Sequence, residues 1–139
     1  GLVGSEMCIR DSSCSSPGKA RWKQLSQQHC GYCVPCLIRR AAMHKAFGDD
    51  GTVYTETSIY EMQNKNAEGM GIQLRSFQYA IDKIKQDRNR ALFYIHKPGP
   101  LPQDDEYLRE LADTYIRGLL EVDAFIQDNL AQEDENNDL

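Results

Sequence analysis

The sequence lacks three features, and each absence excludes a broad class of protein. It has no apolar run near the roughly 18 residues that a membrane-spanning helix needs, which predicts a soluble, cytoplasmic protein with no membrane partner. It has no basic field to indicate nucleic-acid binding, because the four acids of 132–139 and a net −1 over 1–12 account for the whole formal charge of −5. Period-two alternation is also missing, so strands are not expected.

The composition is that of a folded domain. Hydrophobic residues make up 40% of the 139 residues and charged residues 27%, which is enough for one domain with a modest core. We expect that domain to span 13–131. The acidic stretch 132–139 has little to bury, so it is expected to be a disordered tail.

The first twelve residues need separate treatment. GLVGSEMCIRDS (1–12) resembles the translation of a sequencing adapter, whose codons read Met-Cys-Ile-Arg-Asp. We therefore expect 1–12 to be a disordered artefact, Cys8 to play no part in the fold, and the native protein to extend upstream of Ser13. The alternative is a genuine short N-terminal peptide.

The remainder predicts a mainly α fold, with a cysteine loop followed by a helical bundle. Residues 13–34 are expected to form an irregular loop. A first helix begins near Pro35, which suits a first helical turn, and ends at Gly48, a natural left-handed terminator. Shorter helices are expected over 57–66, capped by Thr57 or Ser58, and over 87–97.

Two longer helices are predicted from apolar residues spaced three and four apart. Gly118 interrupts the second one, where we expect a close contact with a helix or backbone. Acidic residues 104–106 suit the start of that helix. The apolar stripe of the first helix is Leu74, Phe77, Ile81 and Ile84. The stripe of the second is Leu108, Leu111, Tyr115, Leu119, Val122, Ile126 and Leu130.

In HCGYCVPCLIRRAA (29–42), three cysteines recur with two residues between neighbours, and a fourth lies sixteen residues upstream. Four thiolates can close a tetrahedral zinc site with bonds of about 2.3 Å. Gly31 permits the tight turn between ligands, and the helix N-terminus beside Cys36 favours anionic ligands. The predicted metal ligands are Cys14, Cys30, Cys33 and Cys36.

Other uses of these cysteines remain open. The triplet also begins the iron–sulfur run of bacterial ferredoxins, although the Cys-Pro that should follow is absent. Disulfides or free buried thiols are a further option, which the lack of a secretory signal disfavours. His29 could replace Cys14, but adjacent ligands strain the geometry, so a surface position is expected. His44 and His96 are expected on helix faces or in the core.

The stretch CGYCVPCLIRRAA resembles the C-G-x-C-x-x-C-x-x-R signature of the 7-cyano-7-deazaguanine synthases, the enzymes of queuosine precursor synthesis. In that family an upstream cysteine completes a zinc site, the position that Cys14 would take. The longer gap between Cys14 and Cys30, together with YIRGLLEVDAFI (115–126), resembles the synthase-like protein of Qat anti-phage defence systems. The resemblance covers most of 14–130, and only the cysteine block is specific.

The resemblance implies that the parent is an ATP-dependent C–N ligase with a Rossmann-like α/β ATP pyrophosphatase domain. There a Ser-Gly-Gly-x-Asp-Ser loop binds ATP, and 7-carboxy-7-deazaguanine is converted through an adenylate to an amide and then a nitrile. This sequence contains no such loop. We therefore expect a C-terminal fragment that is inactive alone, with ATP bound in its own missing N-terminal domain.

Arg39 takes the place of the motif arginine, which makes it the substrate-binding candidate, and no catalytic residue is assigned. The plainer alternative is that Arg39 or Arg40 pairs with a surface acid. Four thiolates leave no open position on the ion, so the zinc is expected to be structural.

The sequence is compatible with two functions. The first is the zinc-binding part of the ligase, in biosynthesis or in antiviral defence. Its partners would be the N-terminal ATP domain, a second copy in a homodimer, or other defence-system proteins. The second is a free-standing zinc-binding module that docks proteins on its helical bundle.

Overall fold

The computed structural model describes residues 13–64 and 69–138, so the adapter-like segment 1–12 lies outside the described residues. The described part is mainly helical, as predicted, and contains no strand, only an isolated bridge between His29 and Tyr54. In chain order, its helices are α1 (Lys19–Trp22), α2 (Val34–Phe47), α3 (Ile59–Asn64), α4 (Met70–Gln86), α5 (Arg90–Tyr94) and α6 (Asp105–Asn137).

Helix α2 forms where the sequence predicts it. Cys33 is its N-cap in an extended conformation, and Pro35 occupies the first turn, where a missing N–H is harmless. Gly48 ends the helix at φ +73°, and its N–H donates to the His44 carbonyl at 2.8 Å. The left-handed conformation closes the last turn, as expected for glycine at this position.

The shorter elements differ from the expectations at their boundaries. Residues 13–34, expected to be irregular, contain the single turn α1, which buries Ala20 but is too short to give a periodic signal. Helix α3 begins after Ser58, whose hydroxyl accepts the Glu61 N–H at 3.1 Å, and the predicted end at 66 lies outside the described residues. Helix α5 occupies only part of 87–97.

Helix α6 is the element against which α2, α3, α4 and α5 all pack. Its N-cap is Asp104, whose carboxylate accepts the N–H groups of Glu106 and Tyr107. The buried face of α6 is rotated from the predicted stripe in its first half, because each stretch of a 33-residue helix meets a different neighbour. The buried residues of α6 are Ala112, Ile116, Leu119, Val122, Phe125 and Ile126.

The predicted stripe of α4 is closer to the observed core. Leu74, Ile81 and Ile84 are buried, and Phe77 packs against the margin of the same cluster. That cluster is continuous from the cysteines through α2 to α6. The loop and the helices therefore share one apolar core.

The acidic stretch 132–139 was expected to be disordered, but α6 continues through Asn137. The Glu133 carboxylate accepts the Tyr60 N–H at 2.7 Å, which ties this end of the helix to α3. Within the described ranges, no helix is both long enough and apolar enough to cross a membrane.

Gly118 does not make the close contact that we expected. A methyl group built there would meet no atom within 4 Å. Gly118 instead lines an open, mainly apolar groove of about 380 Å³ between α2, α4 and α6. Ile38, on α2, is 50% exposed at the same groove.

The open space at Gly118 leads to a prediction about stability. Gly118→Ala should raise the free energy of unfolding by about 0.5–1 kcal/mol, because alanine is the better helix former and nothing obstructs its methyl group. Urea unfolding followed by circular dichroism would measure the change. The matched variant Gly48→Ala should be destabilised, since its φ of +73° strains any side chain. Destabilisation by Gly118→Ala would contradict the open groove.

Candidate metal centre

Four cysteines converge at the end of the bundle, as the spacing predicts. The sulfur atoms of Cys14, Cys30, Cys33 and Cys36 all lie within 4.8 Å of one another, and all four residues are buried. The Cys30 and Cys36 sulfurs are 3.9 Å apart, and those of Cys14 and Cys33 are 4.0 Å apart. These distances are far longer than the S–S bond of a disulfide, about 2.0 Å.

The loop carrying Cys30 is held against segment 54–56 by its backbone. The Thr55 N–H donates to the His29 carbonyl and the Glu56 N–H to the Cys30 carbonyl, each at 2.9 Å. Between the first two clustered ligands, Gly31 has φ +88°, and a methyl group there would lie 2.0 Å from the Glu56 carbonyl oxygen. The turn and this close approach both require glycine.

Backbone N–H groups point at the sulfur atoms. Cys14 Sγ accepts from the N–H groups of Cys30 and Ser16 at 3.3 and 3.4 Å, and Cys30 Sγ accepts from the Cys33 N–H at 3.4 Å. Cys36 lies in the first turn of α2, where the positive end of the helix dipole favours negative charge. The loop therefore orients partial positive charge toward thiolates.

The surroundings lower the pKa of Cys30 and raise the pKa values of Cys14 and Cys36. A hydrogen bond from the Cys36 thiol, outweighing burial, lowers the pKa of Cys30 to about 5, and the N–H groups of Tyr32 and Cys33 assist. Donating that bond, together with burial, raises the pKa of Cys36, and burial raises the pKa of Cys14. Four thiolates this close together repel one another too strongly to be stable without a cation. A cation would supply the missing positive charge.

The arrangement fits a single tetrahedral ion. Four sulfur atoms at about 2.3 Å from one zinc ion would be about 3.8 Å from each other. Two of the six separations, 3.9 and 4.0 Å, are close to that edge length, and none exceeds 4.8 Å. The four cysteines could therefore hold a metal ion such as zinc.

The histidines lie outside the group. His29 Nδ1 is 4.0 Å from Cys36 Sγ, and the His29 ring packs edge-on to Tyr54. This residue therefore borders the sulfur cluster, and Cys14 is the fourth member of the group. His44 pairs with Asp128 at 2.8 Å on the helix surface. His96 Nδ1 lies 2.6 Å from the Leu92 carbonyl oxygen.

The two arginines after Cys36 differ in their surroundings. Arg39, the predicted substrate-binding residue, is half-buried, and its Nε has no hydrogen-bond partner in the described residues. Arg40, which the sequence suggested only as a possible partner of a surface acid, is instead 6% exposed and donates to the Gly31 carbonyl in the cysteine loop. The sequence held one indication that Arg40 lies near the cysteines, because a residue four positions after Cys36 lies on the same face of the helix.

Comparison with protein-family models, with curated proteins and with solved structures gave no match for this chain. The residues and their geometry therefore carry the functional argument.

The close approach at Gly31 leads to a prediction about metal binding. Gly31→Ala should weaken the affinity for Zn²⁺ at least about tenfold, the usual effect of disturbing groups that orient ligands. A competition titration with a chromophoric chelator would measure the affinity. The matched control is Gly51→Ala, where a methyl group meets nothing within 4 Å and affinity should be unchanged. Equal affinities in the two variants would contradict the need for glycine at Gly31.

Proposed function

We propose that this chain is the structural zinc-binding part of an ATP-dependent ligase that resembles the 7-cyano-7-deazaguanine synthases. The observation that carries the proposal is the position of Cys14, which joins the clustered triplet from sixteen residues upstream. A tetrathiolate built from one distant cysteine and a C-G-x-C-x-x-C turn is the arrangement that the resemblance implies.

The spacing of the sulfur atoms favours zinc over an iron–sulfur cluster. In a four-iron cluster each cysteine binds a separate iron at a corner of the cube, so the sulfurs stand further apart than around one ion. Here all four lie within 4.8 Å. Buried thiolates that close a tetrahedron around one ion are typical of structural zinc.

A structural role follows from the closed ligand set. Four thiolates leave no position for water or substrate, so the ion does not act as a Lewis acid. Its binding energy instead joins Cys14 to the loop and to α2. Metal binding and folding of this region are then coupled.

Arg39 is the proposed contact to substrate. It lies one turn after Cys36 on α2 and is only half-buried, and a guanidinium can bind a carboxylate or phosphate through two parallel hydrogen bonds. In the proposed reaction, ATP activates the carboxylate of 7-carboxy-7-deazaguanine as an adenylate and releases pyrophosphate. Ammonia then displaces AMP to give the amide, which is dehydrated to the nitrile. The ATP site would belong to an N-terminal domain, and a defence-type substrate would use the same activation.

A free-standing zinc-binding interaction module is the second candidate. It is favoured by the continuity of the core, because the cysteines and the helices of the described residues form one buried cluster. Such a unit could fold with its metal and act through a protein partner. The two candidates differ in whether ATP chemistry accompanies the zinc site.

Metal analysis tests the zinc proposal. The purified chain should contain one zinc ion per molecule, and Cys14→Ser should lose most of it because a hydroxyl replaces one of four thiolates. Cys8→Ser is the matched control and should keep its zinc. A Cys14→Ser protein that retains full zinc content, or a wild type with strong visible absorption from iron, would overturn the proposal.

Enzyme assays test the ligase. The chain, expressed together with the sequence that precedes it in its genome, should release pyrophosphate from ATP when 7-carboxy-7-deazaguanine is added. Arg39→Met should raise KM for that acid at least about tenfold, by loss of a charged hydrogen bond, while zinc content stays constant. Lys45→Met, on the exposed surface of α2, should behave as wild type. Absence of a Ser-Gly-Gly-x-Asp-Ser loop upstream, or of any pyrophosphate release, would favour the interaction module.

A further inference from the structure

Arg40 is a buried cation that connects the cysteine loop to the rest of the fold. Its guanidinium donates to the Gly31 carbonyl at 2.9 Å and to the Thr57 carbonyl at 2.7 Å. Gly31 belongs to the turn between the ligands Cys30 and Cys33. Holding the Gly31 carbonyl therefore fixes the direction from which both sulfurs approach a metal.

Aromatic rings cover the same guanidinium. Its central carbon lies 5.2 Å from the centre of the Tyr54 ring and 5.0 Å from that of the Phe125 ring. Tyr54 belongs to the segment paired with the cysteine loop, and Phe125 belongs to α6. The two hydrogen bonds and the two rings together fix the position of the Arg40 side chain.

The charge of Arg40 has no partner at ion-pair distance. In the described part of the chain, the guanidinium donates its two hydrogen bonds to uncharged carbonyls, and every carboxylate ion pair involves another base. Burial lowers the pKa of Arg40, whereas negative charge at Tyr54, Asp50, Cys36 and Glu133 raises it. The carboxylates of Asp50 and Glu133 compensate the buried cation only in part, from beyond ion-pair distance, and a stronger source of negative charge close to it would complete the compensation.

A zinc tetrathiolate would be that source. One doubly charged cation and four thiolates carry a net charge of minus two, buried and one helical turn from Arg40. We propose that Arg40 is a positioning residue of the metal centre, which balances the charge of the tetrathiolate and holds the Gly31 turn in its ligating conformation. This inference depends on the zinc site proposed above.

Variants of the full chain at Arg40 separate charge from packing. Arg40→Met should weaken Zn²⁺ affinity about 10- to 100-fold, and Arg40→Lys, which keeps the charge, should recover part of that loss. In the Co²⁺-loaded protein, the sulfur-to-metal charge-transfer band should move to lower energy in Arg40→Met, because removal of a positive charge raises the energy of the thiolate electrons. Lys45→Met removes a charge from the exposed face of the same helix and should change neither property.

The wild type provides a measurement that needs no variant. With arginine labelled with ¹⁵N, one proton on each Nη of Arg40, assigned through its backbone, should exchange slowly with solvent in the zinc-loaded chain, because the side chain is 6% exposed and each Nη donates to a backbone carbonyl. Fast exchange would overturn the inference even if the variants fail to fold.

The outcomes also distinguish this inference from the zinc proposal. If the wild type binds no zinc, the zinc proposal fails. If the wild type binds zinc and Arg40→Met binds it equally tightly with an unshifted Co²⁺ band, only the role of Arg40 is refuted.

Discussion

The convergence of four buried cysteine sulfurs within 4.8 Å of one another is the constraint on which the rest of this structure depends. Cys14 is distant in sequence from the other three ligands and belongs to a segment with few apolar side chains of its own. A metal at the centre would connect that segment to the loop, which carries Cys30, and to the start of α2, where Cys33 is the N-cap and Cys36 lies in the first turn. Small regions with modest cores commonly gain much of their stability in this way.

The cluster does not stand apart from the helices. The cysteines and the apolar residues of α2, α4 and α6 form one continuous core, and α6 contacts every other long element. Backbone pairing of the cysteine loop with segment 54–56 adds a second connection. The metal site and the bundle therefore form one cooperative unit, in which the guanidinium of Arg40 contacts the loop on one side and α6 on the other.

Local patterns in the sequence predicted the parts of the molecule that depend on near neighbours. The cysteine spacing, Pro35 and Gly48 predicted the turn that brings Cys30, Cys33 and Cys36 together and the bounds of α2, because turns, first-turn prolines and left-handed caps act over a few residues. Features set by distant contacts were not predictable in the same way. Docking of Glu133 on α3 keeps the acidic end helical.

The buried face of α6 and the burial of Arg40 likewise depend on what packs against them. At Gly118 we expected a close contact, but the structure has open space there. That space is set by the positions of three helices, which the local sequence does not show.

X-ray absorption at the zinc edge tests the central claim most directly. For the purified chain, the account predicts a single shell of four sulfur atoms at about 2.3 Å and no metal neighbour. A shell containing nitrogen or oxygen would show that His29 or solvent replaces a cysteine. Either that shell or the absence of bound zinc would contradict the closed tetrathiolate.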